Sequence, residues 1–93
     1  MYHLETTGQF RSDYKTLSKS DIPKVVEALK LLEQDGTLPF IPYRTHKLKG
    51  QYDGDMEAHI KPDLLIIWFE IEGDTIKLIR IGSHSKLFGK KNH

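Results

Sequence analysis

Cysteine is absent from the 93 residues, which excludes disulfides and thiolate metal sites. Long apolar runs are absent too. The longest, 64–69, is far short of the roughly 20 residues a membrane helix needs. The N-terminus has no apolar signal core, so the expected compartment is the cytoplasm. Neither sign of charge dominates: 14 Lys and Arg face 13 Asp and Glu, for a net charge of +1. Attraction to an anionic partner must therefore come from local clustering rather than bulk charge. There are no repeats or low-complexity tracts. What is left is an ordinary folding composition, 38% hydrophobic and 29% charged, in a length that makes one domain. That domain is expected to span residues 1–93, with 89–93 as a frayed tail.

The charge is clustered. Residues 43–50 hold Arg44, Lys47 and Lys49 without an acid, and 80–91 hold Arg80, Lys86, Lys90 and Lys91, again without one. Solvated basic loops and phosphate contacts both produce this pattern. His46 and His84 lie within these same segments.

Local patterning sets the elements. "YHLETT" reads as a short strand, and Phe10, Tyr14 and Leu17 then fall at helical spacing to about residue 19. Ser20 or Asp21 can cap a second helix with Pro23 in its first turn. Its stripe is Ile22, Val25, Val26, Leu29 and Leu32, and "DGTLP" stops it at Gly36. The short connection predicts an antiparallel helix hairpin. "LPFIPYRTHKLKG" reads as an irregular crossing. "QYDGDMEAHI" is a strand broken by Asp53-Gly54, "LLIIWFEIE" a central strand, and "TIKLIRIG" its antiparallel neighbour. "SHSKLFG" reads as a last strand or a turn. The sum is an α+β domain: an N-terminal strand and helix hairpin packed on a twisted antiparallel β-sheet, with the sheet's second face left open.

His46, His59, Asp63, His84, Arg80 and Phe88 sit at strand ends or edges, where an antiparallel meander can bring them to one face. Singly, each histidine reads first as a surface or structural residue, Phe88 as core, and Trp68 as core. Three chemistries fit the set. A His and Asp metal site is one, although no HExxH or close His-x-His spacing supports it. Nucleophilic catalysis through Ser83 or Ser85 is weaker, because strand neighbours point opposite ways. Metal-free RNA cleavage needs a base for the 2′-hydroxyl, an acid for the leaving 5′-oxygen and cations for the phosphate. Histidines, lysines and arginine are those groups, and an aromatic ring can hold a splayed base.

The segments "HKLKG", "EAHIKPDLLIIW" and "LIRIGSHSKLFG", in this order, resemble the YafQ branch of the RelE-like toxins of bacterial type II toxin–antitoxin systems. The likeness runs from about residue 4 to 89. It implies a RelE-like, microbial-RNase-like fold and an endoribonuclease without cofactor or metal, which cuts mRNA in the ribosomal A site. A cognate antitoxin would neutralise it in a hetero-oligomer, the free toxin being a monomer. The matching catalytic and substrate-contacting positions are His46, His59, Asp63, His84 and Phe88. His84 is expected to be the general acid, with His59 or Asp63 helping to deprotonate the nucleophile. Arg44, Lys47, Lys49, Arg80 and Lys86 are expected to contact RNA. Met56 stands where relatives commonly carry an arginine, which implies weaker phosphate binding, a changed codon preference, or compensation by Lys47, Lys49 or Lys86. A non-enzymatic protein-binding member of the same fold is the alternative.

Overall fold

The computed structural model describes residues 1–89; most of the expected tail, 90–93, lies outside the described residues. The strands are β1 (His3–Thr6), β2 (His46–Lys47), β3 (Met56–Lys61), β4 (Leu64–Ile71) and β5 (Thr75–Gly82). The helices are α1 (Gly8–Lys15), α2 (Ile22–Asp35), α3 (Phe40–Tyr43) and α4 (His84–Phe88). One five-stranded sheet has the order β1-β5-β4-β3-β2. β1 runs parallel to β5, and the other pairs are antiparallel.

β4 is the centre, as its unbroken apolar run requires of a strand covered on both sides. Leu64, Ile66 and Trp68 face the helix side with Phe10, Val25, Ala28, Leu32, Ile76 and Leu78. Leu65 and Ile67 face the other way, into a small second core with Leu87, flanked by Leu48, Tyr52, Ile79 and Phe88. The expected open face is thus partly roofed, by α4 and by a 3₁₀ turn at Gly50–Tyr52.

α2 begins and ends at the expected places, although the Asp21 carboxylate does not cap it and instead accepts from Lys61 at 2.7 Å. Pro23 lies in its first turn, and Gly36 closes it in the left-handed conformation at φ 79°. A Cβ on Gly36 would also come within 2.4 Å of the Tyr2 ring, so this position requires glycine twice over. The buried stripe is Val25, Ala28 and Leu32, whereas Val26 is 36% exposed and Leu29 only half-buried. Leu32→Ala should therefore cost roughly 2–5 kcal/mol and Leu29→Ala less. Urea unfolding of the two variants checks this, and equal losses would contradict the assigned packing.

α1 stops at Lys15 rather than near residue 19 and packs chiefly along β5, while α2 covers β1 and β3. The reason lies at the sheet edge. β1 pairs only with 75–78 of β5, which leaves backbone groups beyond residue 78 without a strand. Thr7 and α1 take them up: the Thr7 hydroxyl donates to the Ile79 carbonyl at 2.9 Å, and an Asp13 carboxylate oxygen accepts the Ile81 N–H at 3.1 Å. Such buried backbone groups must find partners.

Other departures are local. β3 begins only at Met56, since Asp53-Gly54 belongs to the preceding turn. "SHSKLF" is a helical turn because the Ser83 hydroxyl accepts the Lys86 N–H at 3.2 Å and caps it. β2 is two residues long, too short for a periodic signal. A β-bulge sets Ile79 out of register between the pairs Ile67–Arg80 and Trp68–Leu78. Ile76, Leu78 and Ile81 consequently face the helices, while Arg80 faces the opposite side with Ile67.

Candidate active site

A row of rings crosses the roofed face. Centroids run from His46 to His59 at 6.4 Å, His59 to His84 at 5.8 Å, His84 to Phe88 at 6.4 Å, and Phe88 to Tyr52 at 5.6 Å, the last pair edge to face. Four separate segments supply these rings. The sheet brings β2 and β3 side by side, and the chain after β5 folds α4 back over β4. The three histidines and Phe88 singled out in the sequence are thus neighbours.

His84 is the most firmly held. Its backbone N–H and its Nδ1 both donate to one oxygen of Asp63, at 2.9 and 2.7 Å. A carboxylate only accepts, so Nδ1 carries a proton and Nε2 is the nitrogen left for other work. The backbone and ring hydrogen bonds from His84 hold the Asp63 carboxyl below its usual range. Asp63 is therefore committed to His84 and is not a free base, which corrects its expected part in deprotonating the nucleophile.

His46 bridges two acceptors: Nδ1 lies 2.9 Å from the Arg44 carbonyl, and Nε2 lies 3.2 Å from a carboxylate oxygen of Glu57. The Nε2 of His59 lies 3.7 Å from that same oxygen. Glu57 is only 4% exposed. Beside His59 opens a cleft of about 390 Å³ lined by Pro42, Arg44, His59, Ile60, Lys61 and Pro62.

The expected RNA-contacting cations divide. Arg44, Lys47 and Lys49 are exposed. Lys47 pairs with Met56 and His46 with Glu57, so strand alternation turns Lys47 away from the histidine row. Arg80 is placed differently from a free phosphate ligand. Its Nε and one terminal nitrogen bind Asp13 at 2.7 and 3.1 Å, and the other terminal nitrogen reaches the Tyr52 hydroxyl at 3.4 Å. Lys86 donates to the Thr16 hydroxyl at 2.7 Å and lies 3.7 Å from Asp13. Both cations thus serve the α1 anchor. Met56 packs with the helix-side core, on the face opposite His59, so it takes no cation out of the row of rings.

Sequence reasoning missed Asp13, Tyr52 and Glu57. Glu57 was adjacent to a singled-out motif, but nothing in the order of residues tells a buried acid from a solvated one. Among the described residues, no group of three or more His, Cys, Asp or Glu side chains is disposed to hold a metal ion, and no helix is long and apolar enough to cross a membrane.

Residues 2–89 match the family model described as "Bacterial toxin of type II toxin-antitoxin system, YafQ". The chain is 33% identical over 89 residues to the mRNA interferase toxin YafQ of Escherichia coli K12, covering 92% of this chain and 95% of that one. Its structure is similar to the crystal structure of YafQ from E. coli BL21(DE3), with a TM-score of 0.83, 30% identity, and coverage of 96% of this chain and all of that one. It is also similar to the YafQ chain of the E. coli DinJ–YafQ complex, with a TM-score of 0.81, 30% identity and the same coverage.

Proposed function

Because the chain belongs to the YafQ family of type II toxins, we propose that it is an mRNA interferase, an endoribonuclease that blocks translation by cutting mRNA on the ribosome and is held off by a cognate antitoxin. The observation that carries this reading is the row His46–His59–His84–Phe88, with His84 locked to Asp63. It presents two proton-transfer groups and a stacking ring side by side, without a protein nucleophile.

The 2′-hydroxyl of the substrate attacks the adjacent phosphorus, and the bond to the 5′-oxygen breaks. The products are a 2′,3′-cyclic phosphate and a 5′-hydroxyl. His59 takes the 2′-hydroxyl proton. His84, anchored through Nδ1–H, delivers a proton from Nε2 to the leaving oxygen. His46, when both its nitrogens carry protons, is a cation at the phosphate, joined by Arg44 and Lys49. Phe88, braced edge-on by Tyr52, orients a base by stacking. Arg80 contributes by fixing the floor of the site from Asp13. Residues 1–93 act as one domain, working in the cytoplasm, where translation supplies the substrate.

Mapping of 5′ ends on translated mRNA tests the reading. The purified protein should produce discrete cuts that persist in excess chelator. Intact mRNA at one toxin per ribosome would overturn it and favour a protein-binding role.

Antitoxin binding should be electrostatically steered, given the exposed Arg44, Lys47 and Lys49. Association should slow markedly between low and physiological salt, and again in Lys47→Ala/Lys49→Ala. Stopped-flow association rates indifferent to both would leave apolar docking as the better account.

A further inference from the structure

The mechanism above makes no use of Glu57, the buried acid beneath the histidines. Burying a carboxylate is costly unless a cation or hydrogen-bond donor meets it. The groups that meet it are two imidazoles, from β2 and β3, whose Nε2 atoms approach the same oxygen at 3.2 and 3.7 Å. Its β4 neighbour in register is the apolar Ile67, and Arg80, which pairs with Ile67 on the next strand, is bound by Asp13. Among the described residues no Lys or Arg forms a salt bridge with Glu57.

We propose that Glu57 is a positioning residue that sets the tautomer of His59: its buried carboxylate holds the ring proton on Nε2 and leaves Nδ1 as the nitrogen that accepts a proton. The inference rests on the reading of His59 as the base. A neutral imidazole has one N–H and one lone pair, and which nitrogen carries which decides whether the ring can act as a base from a given side. At 3.7 Å the contact exceeds a direct hydrogen bond, so in the free protein the carboxylate acts through its charge. Such contacts commonly shorten once substrate is bound. The same oxygen fixes Nε2 of His46 at 3.2 Å, so one acid aligns both rings on a single face, much as a carboxylate behind a ligating or catalytic histidine does elsewhere.

Glu57→Gln keeps the shape and removes the charge, and its amide can turn either an oxygen or an NH₂ toward Nε2. Two readouts apply. Nitrogen NMR of the His59 ring, at a pH where the ring is neutral, should show a bare Nδ1 in the wild type and a mixture of tautomers or a protonated Nδ1 in Glu57→Gln. Cleavage by the variant should fall about 10–100-fold in kcat with KM little changed, and Glu57→Asp should restore part of both signals. An unchanged tautomer overturns the proposal even if kcat falls, since the loss would then be merely structural. Wild-type cleavage by Glu57→Gln also overturns it. Should Glu57→Gln fail to fold, the ring spectrum of Glu57→Asp, with its carboxylate drawn back by one methylene, decides by the same criterion. A wild-type protein that leaves translated mRNA intact would remove the functional reading, while the spectrum would still judge Glu57 on its own.

Discussion

His84→Ala should keep the fold and lose about 10²–10⁴-fold in cleavage, the usual worth of a positioned general acid. The two halves of this expectation come from different parts of the structure. α4 is capped by Ser83, not by the His84 side chain, and the backbone N–H of residue 84 still reaches Asp63 after the ring is removed. The ring itself is about half exposed and fills no core position. Its removal deletes an imidazole that is anchored at Nδ1 and free at Nε2. Asp63→Asn retains an acceptor but not the charge, so it should lose less, roughly 10–100-fold. Single-turnover cutting of ribosome-bound mRNA, read beside a melting curve, separates activity from stability. A His84→Ala protein that melts and cuts like the wild type would remove His84 from the mechanism.

The largest loss of stability should come from Asp13→Ala, at roughly 3–5 kcal/mol, because it strands a guanidinium whose side chain is only 14% exposed and leaves the Ile81 N–H without a partner. Asp13 is 3% exposed and holds Arg80 through two hydrogen bonds as well as the edge of β5. Burial pushes its carboxyl up. The hydrogen bonds from Arg80 and Ile81, with the charges of Arg80 and Lys86, outweigh that and hold it below the ordinary value of 3.8. A carboxyl lowered in the folded state stabilises fully above its unfolded value, and that stabilisation is lost as pH falls through the folded one. The gap between wild type and Asp13→Ala should thus be widest near neutral pH and shrink below about pH 4. Urea titrations across the acid range check both size and sign. An equal gap at every pH would mean that Asp13 acts by packing alone. Arg80→Met in the Asp13→Ala background should recover part of the loss, since a buried ion pair costs most when only one partner is removed.

The sheet core was legible because β4 has no polar residue in its first six positions, and α2 because Pro23 and Gly36 punctuate its ends. The histidines and Phe88 were legible as residue types in ordered motifs. Their mutual distances were not, since these depend on which face each strand presents. The alternation of "TIKLIRIG" places Arg80 with Ile76 and Leu78, and only the bulge at Ile79 moves it. Asp13 looked like any polar residue of a surface helix because β1's shortness, which makes room for it, is a property of pairing rather than of composition. β2 could not be seen at all: two residues carry no period.

The bulge at Ile79 has a bearing on how β5 can vary. Side chains on a strand have a parity as well as a position, and the extra residue at the bulge is what fixes that parity beyond Leu78. Pairing the same residues without the bulge would exchange the two sides, setting a guanidinium beneath the helices and Ile81 on the face that bears the rings. Deleting residue 79 itself leaves that parity intact, because Leu78, Arg80 and Ile81 still meet Trp68, Ile67 and Ile66 in order. A one-residue deletion in β5 should therefore survive where loss of the bulge absorbs it, whereas a one-residue insertion needs a second bulge or a matching loss. The hairpin at Gly73, upstream of all this, is free to drift. In a gapped alignment of such chains, a lone gap at 79 would mark a strand that has lost its bulge and kept the same site.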